Sequence, residues 1–243
     1  MMRIISSFII GLSFIIGLSI AARAYKYRST AMETITVTGS ADKDFVSDLI
    51  VWNGSYSRKS MDLKSAYAQL KEDENAIRAY LLGKGIVESE MVFSAVNINK
   101  EFSNKTDGNG RNIGQEFTGF NLLQNVKVES PNVDKIDQIS REATELIEKG
   151  IEFNSSSPLF YYTKLTAIKM DLLAKASADG KARADIIAKN AGNSLGKLKK
   201  ATLGVFQITG KNSNEDYSYG GTFNTSSRNK TGSITIKMEF GVE

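Results

Sequence analysis

A long alanine-rich segment between residues 164 and 205 constrains the fold more than any other part of the sequence. Its small and apolar residues recur every three or four positions, which places them on one face of an α-helix. Small side chains on a buried face let a helix lie close to a sheet or to a second helix. A turn from Gly192 to Leu195-Gly196 and then a strand are expected to follow this helix. The residues predicted on its packing face are Leu173, Ala176, Gly180, Ala184, Ile187 and Ala191.

The composition fits a folded protein and excludes several kinds of chemistry. Of the 243 residues, 41% are apolar and 24% are charged, which is ordinary for a globular protein. The net charge is +4, but the basic residues are interleaved with acidic ones, so we expect no nucleic-acid partner. The absence of cysteine and histidine excludes thiolate nucleophiles and removes the commonest general base and metal ligand. We expect no catalytic residue, no cofactor and no metal, because an enzyme would have to rely on carboxylates or tyrosines alone.

The amino terminus is predicted to be a membrane segment. Residues 4–22 contain no charged side chain, and their number is close to the ~20 residues that cross a bilayer as a helix. The exit sequence Tyr25-Lys26-Tyr27-Arg28 is typical of a membrane interface. These features favour an uncleaved anchor over residues 1–28. A cleaved signal peptide is the alternative, for which Ala22-Arg23-Ala24 is a matching cleavage site.

One domain is predicted after a linker at residues 29–34, and it extends over residues 35–243. Alternation of apolar and polar residues indicates strands, and a period of 3.6 indicates helices. The fold class is therefore α+β, with a mainly antiparallel sheet or sheets, three principal helices packed on it, and one transmembrane helix before it. The predicted strands are 35–38, 46–56, 91–102, 117–128, 151–162, 201–209 and 233–242, and the predicted helices are 61–82, 130–150 and the alanine-rich segment.

The polar loop 103–114 is predicted to join two of these strands into an antiparallel hairpin. Its Asp107-Gly108-Asn109-Gly110 sequence is similar to part of a calcium loop. The fifth position of such a loop would be Arg111 and the twelfth would be Thr118, so the required carboxylates are missing. A hairpin turn is the better interpretation.

Three aromatic residues, Tyr217, Tyr219 and Phe223, are the candidates for ligand binding or for contact between subunits. They lie in a loop rich in glycine, serine and asparagine at residues 210–232. Exposed aromatic side chains offer a large contact area at a small entropic cost. The sequence does not indicate which ligand they would bind.

The order of these segments resembles the SIMPL domain family, also called DUF541. The resemblance is carried by Ile35-Thr36-Val37-Thr38-Gly39 in the first strand, by Gly85-Ile86 before the hairpin, and by Lys181-Ala182 and Leu195-Gly196 around the end of the alanine-rich helix. One departure is Val46-Ser47-Asp48, where the family usually has a Pro-Asp pair. The similarity extends over nearly the whole region that follows the linker.

The resemblance implies an α+β domain of the bacterial cell envelope and gives no catalytic residues. Some members form ring-like or channel-like homo-oligomers, and some are described as oxidative-stress defence proteins. We therefore expect a non-enzymatic homo-oligomer, held in the bacterial inner membrane through residues 4–22 with its domain in the periplasm, or soluble in the periplasm if the segment is cleaved. The alternative function is a monomeric envelope module that captures a glycan or peptide through the aromatic loop 217–230.

Overall fold

The computed structural model describes residues 2–30 and 33–243, with side chains within 11–25 and 33–243. Each helix of the domain follows a strand along the chain. Two short 3-10 helices, Glu88–Glu90 and Ala143–Lys149, complete the helical segments. The helices are α1 (Met2–Thr30), α2 (Leu63–Gly83), α3 (Val133–Glu142) and α4 (Leu165–Asn190). The strands are β1 (Thr34–Val46), β2 (Leu49–Ser60), β3 (Met91–Phe93), β4 (Asn97–Thr106), β5 (Asn112–Ser130), β6 (Phe153–Ser155), β7 (Leu159–Tyr161), β8 (Leu195–Leu203), β9 (Gln207–Gly210) and β10 (Asn229–Val242).

Helix α1 contains the apolar run that the sequence assigns to a membrane. The side chains of residues 4–10 and 26–28, and residues 31–32 of the predicted linker, lie outside the described residues. Within the described ranges, no helix has both the length and the apolar character needed to cross a bilayer. The role of residues 4–22 as an anchor stays a prediction.

The strands form two antiparallel sheets, so the predicted α+β class is confirmed. The first sheet has the order β1-β10-β8, and β9 also pairs with β10. The second sheet has the order β3-β5-β2-β6, with β4 also beside β5 and β7 beside β2. Only Ser47 and Asp48 separate β1 from β2, so the chain passes directly from one sheet to the other.

Each sheet has its own hydrophobic core, covered by its own helices. Helix α4 packs on the first sheet, whereas α2 and α3 pack on the second. Two of these helices begin at residues whose side chains cap them. The Asp62 carboxylate accepts a hydrogen bond from the Ser65 amide at 2.8 Å at the start of α2, and the Asn132 side chain accepts one from the Lys135 amide at the start of α3. The largest fully buried apolar residues of the second core are Ile50, Trp52, Tyr56, Leu70, Ile77, Leu81, Ile86, Leu122, Ile136 and Leu146.

Several segments differ from the sequence prediction: for example, predicted strand 91–102 is divided into β3 and β4, and predicted strand 201–209 spans the end of β8 and β9. The predicted turn from Gly192 to Gly196 is confirmed only at Gly192, whose φ is 79°; Leu195 already lies opposite Val242 as the first residue of β8. The predicted strand 151–162 is divided into β6 and β7, which pair with different parts of β2. The predicted hairpin turn is confirmed, since Asp107 accepts the amides of Asn109 and Arg111 at 2.9 Å each between β4 and β5.

Candidate functional site

The packing face of α4 is only partly the predicted one. Ala176, Gly180 and Ala184 are buried against the first sheet, and Leu173 is half-buried beside them. Ile187 and Ala191 are exposed, so their assignment to this face is wrong. The helix contacts the sheet along a row of every fourth residue, which is inclined to the helix axis. Residues spaced four apart therefore deviate gradually from the face predicted with a period of 3.6. The buried row consists of Ile168, Leu172, Ala176, Gly180, Ala184 and Ala188.

Two glycines make the contact between α4 and β1 very close. A Cβ atom on Gly39 would lie 2.1 Å from the carbonyl oxygen of Ala176 and 2.5 Å from the amide nitrogen of Gly180. Beside this point, the Ser40 amide donates a hydrogen bond to the Asp179 carboxylate at 2.9 Å. Ala176, Gly180 and Ala184 thus serve packing inside the chain.

The aromatic loop is held in place by Gln207, a buried residue of β9 that sequence reasoning missed. The Gln207 Oε1 accepts hydrogen bonds from the amides of Thr222 at 2.8 Å and Ser218 at 3.3 Å. Its Nε2 donates to the carbonyl oxygen of Ser218 at 2.9 Å. Because one side chain bonds two points of the loop that are four residues apart, it fixes the path of the loop over β9.

A buried lysine holds the second half of the loop. Lys230 is only 1% exposed, and its ammonium group donates hydrogen bonds to the main-chain and side-chain oxygens of Asn224. The Asn224 amide in turn donates to Glu215, which also accepts the Gly210 amide at 3.0 Å. Burial lowers the pKa of Lys230 to about 8, although the nearby Glu215 carboxylate opposes the shift. The hydrogen bond from Gly210 is the main reason that the pKa of Glu215 is below its usual range.

The three predicted aromatic residues do not form one cluster. Tyr217 and Tyr219 line a cleft of about 300 Å³ whose other walls include Val205 and Ile234. The Tyr217 hydroxyl lies 3.2 Å from Ser233 Oγ, to which it donates, and the Tyr219 side chain is fully exposed.

Phe223 lies in a second cleft, of about 440 Å³, together with Phe206 and Lys169. Its ring faces Tyr161 at a centroid distance of 6.5 Å. The two clefts share Gly204 and Val205 as a common wall. The loop therefore offers two separate aromatic surfaces, one on each side of this wall.

A third cleft, of about 460 Å³, is charged and was not predicted from the sequence. It lies between the end of α2 and the second 3-10 helix, and Lys84 donates hydrogen bonds there to Glu142 at 2.8 Å and Glu145 at 3.1 Å. These bonds raise the pKa of Lys84, and burial raises the pKa of Tyr80. The lysine therefore stays protonated and the tyrosine stays neutral at physiological pH, so neither group is prepared to act as a nucleophile or base.

Strands β4 and β5 continue beyond the second sheet as a two-stranded ribbon, residues 101–119. The last pair between β2 and β5 is Ser60 with Phe120, so the part of β5 before Phe120 pairs with β4 alone. Three aromatic rings connect the ribbon to the core. Phe120 packs on the second core, Phe117 lies 5.1 Å from it, and Phe102 lies 5.7 Å from Phe117. Phe102 is 54% exposed, so this series of rings ends in solvent.

The domain from β1 to β10 matches a known family over residues 35–239, described as SIMPL, a protein of unknown function (DUF541). The chain belongs to the SIMPL family. No curated protein matches it. The SIMPL match begins in β1 and ends in β10, so it covers both sheets except for the outer ends of these two strands, and α1 lies outside it. Within the described part of this SIMPL protein, no group of three acidic side chains is placed to hold a metal ion.

Proposed function

We propose that this SIMPL protein is a non-enzymatic, membrane-anchored protein of the cell envelope that self-assembles into a homo-oligomer. The observation that carries the proposal is the ribbon, where β4 is exposed along almost its whole length and pairs with β5 alone among the described strands. Ile98, Phe102 and Ile113 are each more than half exposed there. Strand edges with exposed apolar side chains favour association with another chain unless they are covered.

The anchor is the apolar run of residues 4–22 at the start of the chain. It contains no charged side chain and lies within one continuous helix, α1. A helix of about 20 residues is long enough for the bilayer core. In this proposal the domain is in the periplasm and the helix is in the inner membrane. The mass of the native protein extracted from membranes tests it, because cleavage after Ala24 would remove the anchor and leave a soluble periplasmic protein.

The non-enzymatic part of the proposal is supported by the state of the charged cleft. Lys84 in this cleft is hydrogen-bonded to Glu142, which stabilises the charged forms of both side chains. Such an arrangement is typical of an ion-pair network. Envelope stress defence is the process that the family resemblance indicates for this protein.

Assembly is tested on the full chain in a mild detergent. Light scattering should give one homogeneous species whose protein mass is a whole multiple of 26.6 kDa. A monomer at micromolar concentration would contradict the proposal. The protein mass must be separated from the detergent mass by refractive index, because the micelle around α1 would otherwise be counted.

A second candidate function is capture of a glycan or peptide by the aromatic loop. It is favoured by the cleft of Tyr217 and Tyr219, which has an apolar wall and a loop already fixed by Gln207. Glycan and peptide arrays probed with the full chain should show hits that Tyr219→Ala abolishes. Tyr67→Ala, which changes an exposed tyrosine of α2, is the matched control. If Tyr67→Ala lowers the same hits equally, the binding does not belong to the loop.

A further inference from the structure

The outer edge of β4 is suited to pairing with another strand. Both irregularities in the β4–β5 ladder add a residue to β5 and none to β4: Thr118 is extra between Gly119 and Phe117, and Ile113 is extra between Gly114 and Asn112. Strand β4 therefore keeps a regular alternation over ten residues. A regular edge strand presents a row of unpaired backbone donors and acceptors to any strand of matching length.

The charges of β4 favour pairing with a second copy of itself. Two identical strands related by a two-fold axis perpendicular to the sheet are antiparallel, and the axis passes between the two copies of one central residue, which lie opposite each other. If Ser103 is that residue, Glu101 of each copy lies opposite Lys105 of the other, so two ion pairs form across the axis. If Glu101 were the central residue, two carboxylates would lie opposite each other, which is unfavourable.

The side chains involved are available for this contact. Lys105 and Glu116 form an ion pair in which both side chains remain more than half exposed. Glu101 pairs with Lys59 and is about one-third exposed, which leaves room for a second cation. The exposed ring of Phe102 would lie next to the axis and would become covered by the second copy.

We infer that β4 pairs antiparallel with β4 of a second copy of this chain, with Ser103 at the two-fold axis and Glu101 of each copy opposite Lys105 of the other. This inference rests on the proposed self-assembly and names the surface that carries it. The second sheets of two copies become one continuous sheet through the contact. The ribbon, which alone is a two-stranded structure of marginal stability, gains a third and a fourth strand.

Cysteine cross-linking tests the register, because the natural chain contains no cysteine. In the full-length protein in detergent, Ser103→Cys should form an intermolecular disulfide under mild oxidation. Directly opposite residues of an antiparallel pair have Cα atoms about 4.5–5.5 Å apart, which suits a disulfide. Asn99→Cys is the matched control. The two copies of residue 99 would be about 27 Å apart at about 3.4 Å per residue, so it should not cross-link. Equal cross-linking at both positions would overturn the inference.

A charge exchange tests the ion pairs independently of oxidation. Glu101→Lys should weaken association about tenfold, because two attractions across the axis become two repulsions. The double variant Glu101→Lys with Lys105→Glu should restore association, although within each copy it loses the pairs of residue 101 with Lys59 and of residue 105 with Glu116. The ribbon is exposed, so circular dichroism should show an unchanged fold in both variants.

The outcomes separate the inference from the proposed function. A wild-type chain that is monomeric would overturn both. A wild-type oligomer that neither cross-links at Ser103→Cys nor responds to Glu101→Lys would overturn the pairing of β4 and leave self-assembly standing. An oligomer that cross-links at Ser103→Cys and is restored by the double variant would support both.

Discussion

Gly39 of β1 and Gly180 of α4 lie in close contact, and a Cβ atom at either position would overlap a neighbouring atom. A Cβ on Gly180 would lie 3.2 Å from the Gly39 Cα and 2.1 Å from the Met238 side chain. A Cβ on Gly39 would meet only backbone atoms, and the closest would be 2.1 Å away. The two sites therefore differ in what must move, because the end of a methionine is flexible and a helix backbone is not.

This difference predicts the relative cost of two substitutions. Gly39→Ala should destabilise the domain by about 3 kcal/mol or more, since α4 must move off the sheet. Gly180→Ala should cost about 1 kcal/mol, because Met238 can turn away and alanine is a better helix former by about 1 kcal/mol. Gly83→Ala is the control, since a Cβ there meets nothing within 4 Å. Urea unfolding measures all three, and an equal effect at Gly39 and Gly83 would contradict the close contact.

The buried Lys230 predicts a dependence of stability on pH. Its pKa is about 8 in the folded chain and 10.5 in its ordinary state, so the unfolded chain binds more protons between these values. Stability should therefore rise as pH increases from about 8 to about 10.5, by at most about 3 kcal/mol. Lys230→Met removes this contribution. The free energy of unfolding of the natural chain and of Lys230→Met is measured at pH 7.5 and at pH 10. The natural chain should gain more stability between these values than the variant. An identical pH dependence in the two proteins would show that the pKa of Lys230 is not lowered in the folded chain.

The sequence predicts the segments better than the contacts between them. The alanine-rich pattern predicts helix α4, and Asp107 predicts the hairpin turn. Both elements are determined by residues that are close together in the sequence. The sequence does not predict that β8 begins at Leu195, because a Leu-Gly pair after a helix is typical of a turn. The strand is recognised only from the pairing of Leu195 with Val242. Likewise, residue size shows that α4 packs closely, but the sequence does not show which row of α4 residues contacts the sheet, and the observed row leaves Ile187 exposed.

The clefts around the aromatic loop depend on contacts that no local pattern contains. Tyr217 and Phe223 are six residues apart in a polar segment, which predicted one cluster. The Gln207 side chain and the Lys230 ammonium group hold the loop so that these rings lie on opposite sides of Val205. Gln207 belongs to β9 and Lys230 to the start of β10, so their contacts with the loop depend on how these strands pair and could not be predicted from local sequence.

The ion pair of Arg58 and Asp73 predicts a large loss of stability when it is broken. The guanidinium donates two hydrogen bonds to the Asp73 carboxylate, which is only 7% exposed, and a third to the Gly150 carbonyl at 2.9 Å. Asp73→Ala should destabilise the domain by about 3 kcal/mol, because it leaves the guanidinium without its counter-charge. Asp137→Ala breaks the exposed pair with Arg141 and should cost less than about 1 kcal/mol. Thermal unfolding compares the two variants, and similar losses would show that burial of Asp73 is unimportant.

Gln207 predicts how the aromatic loop responds to loss of its main contact. Gln207→Leu keeps a side chain of similar size but leaves the amides of Ser218 and Thr222 without their acceptor. The loop should then open locally, at a cost of about 1–3 kcal/mol, while the cores stay intact. Limited proteolysis should cut within residues 211–223 several-fold faster than in the natural chain. Gln138→Leu, which changes an exposed glutamine of α3, should leave the rate unchanged. A rate that rises equally in both variants would mean that general destabilisation, and not the Gln207 contact, controls the loop.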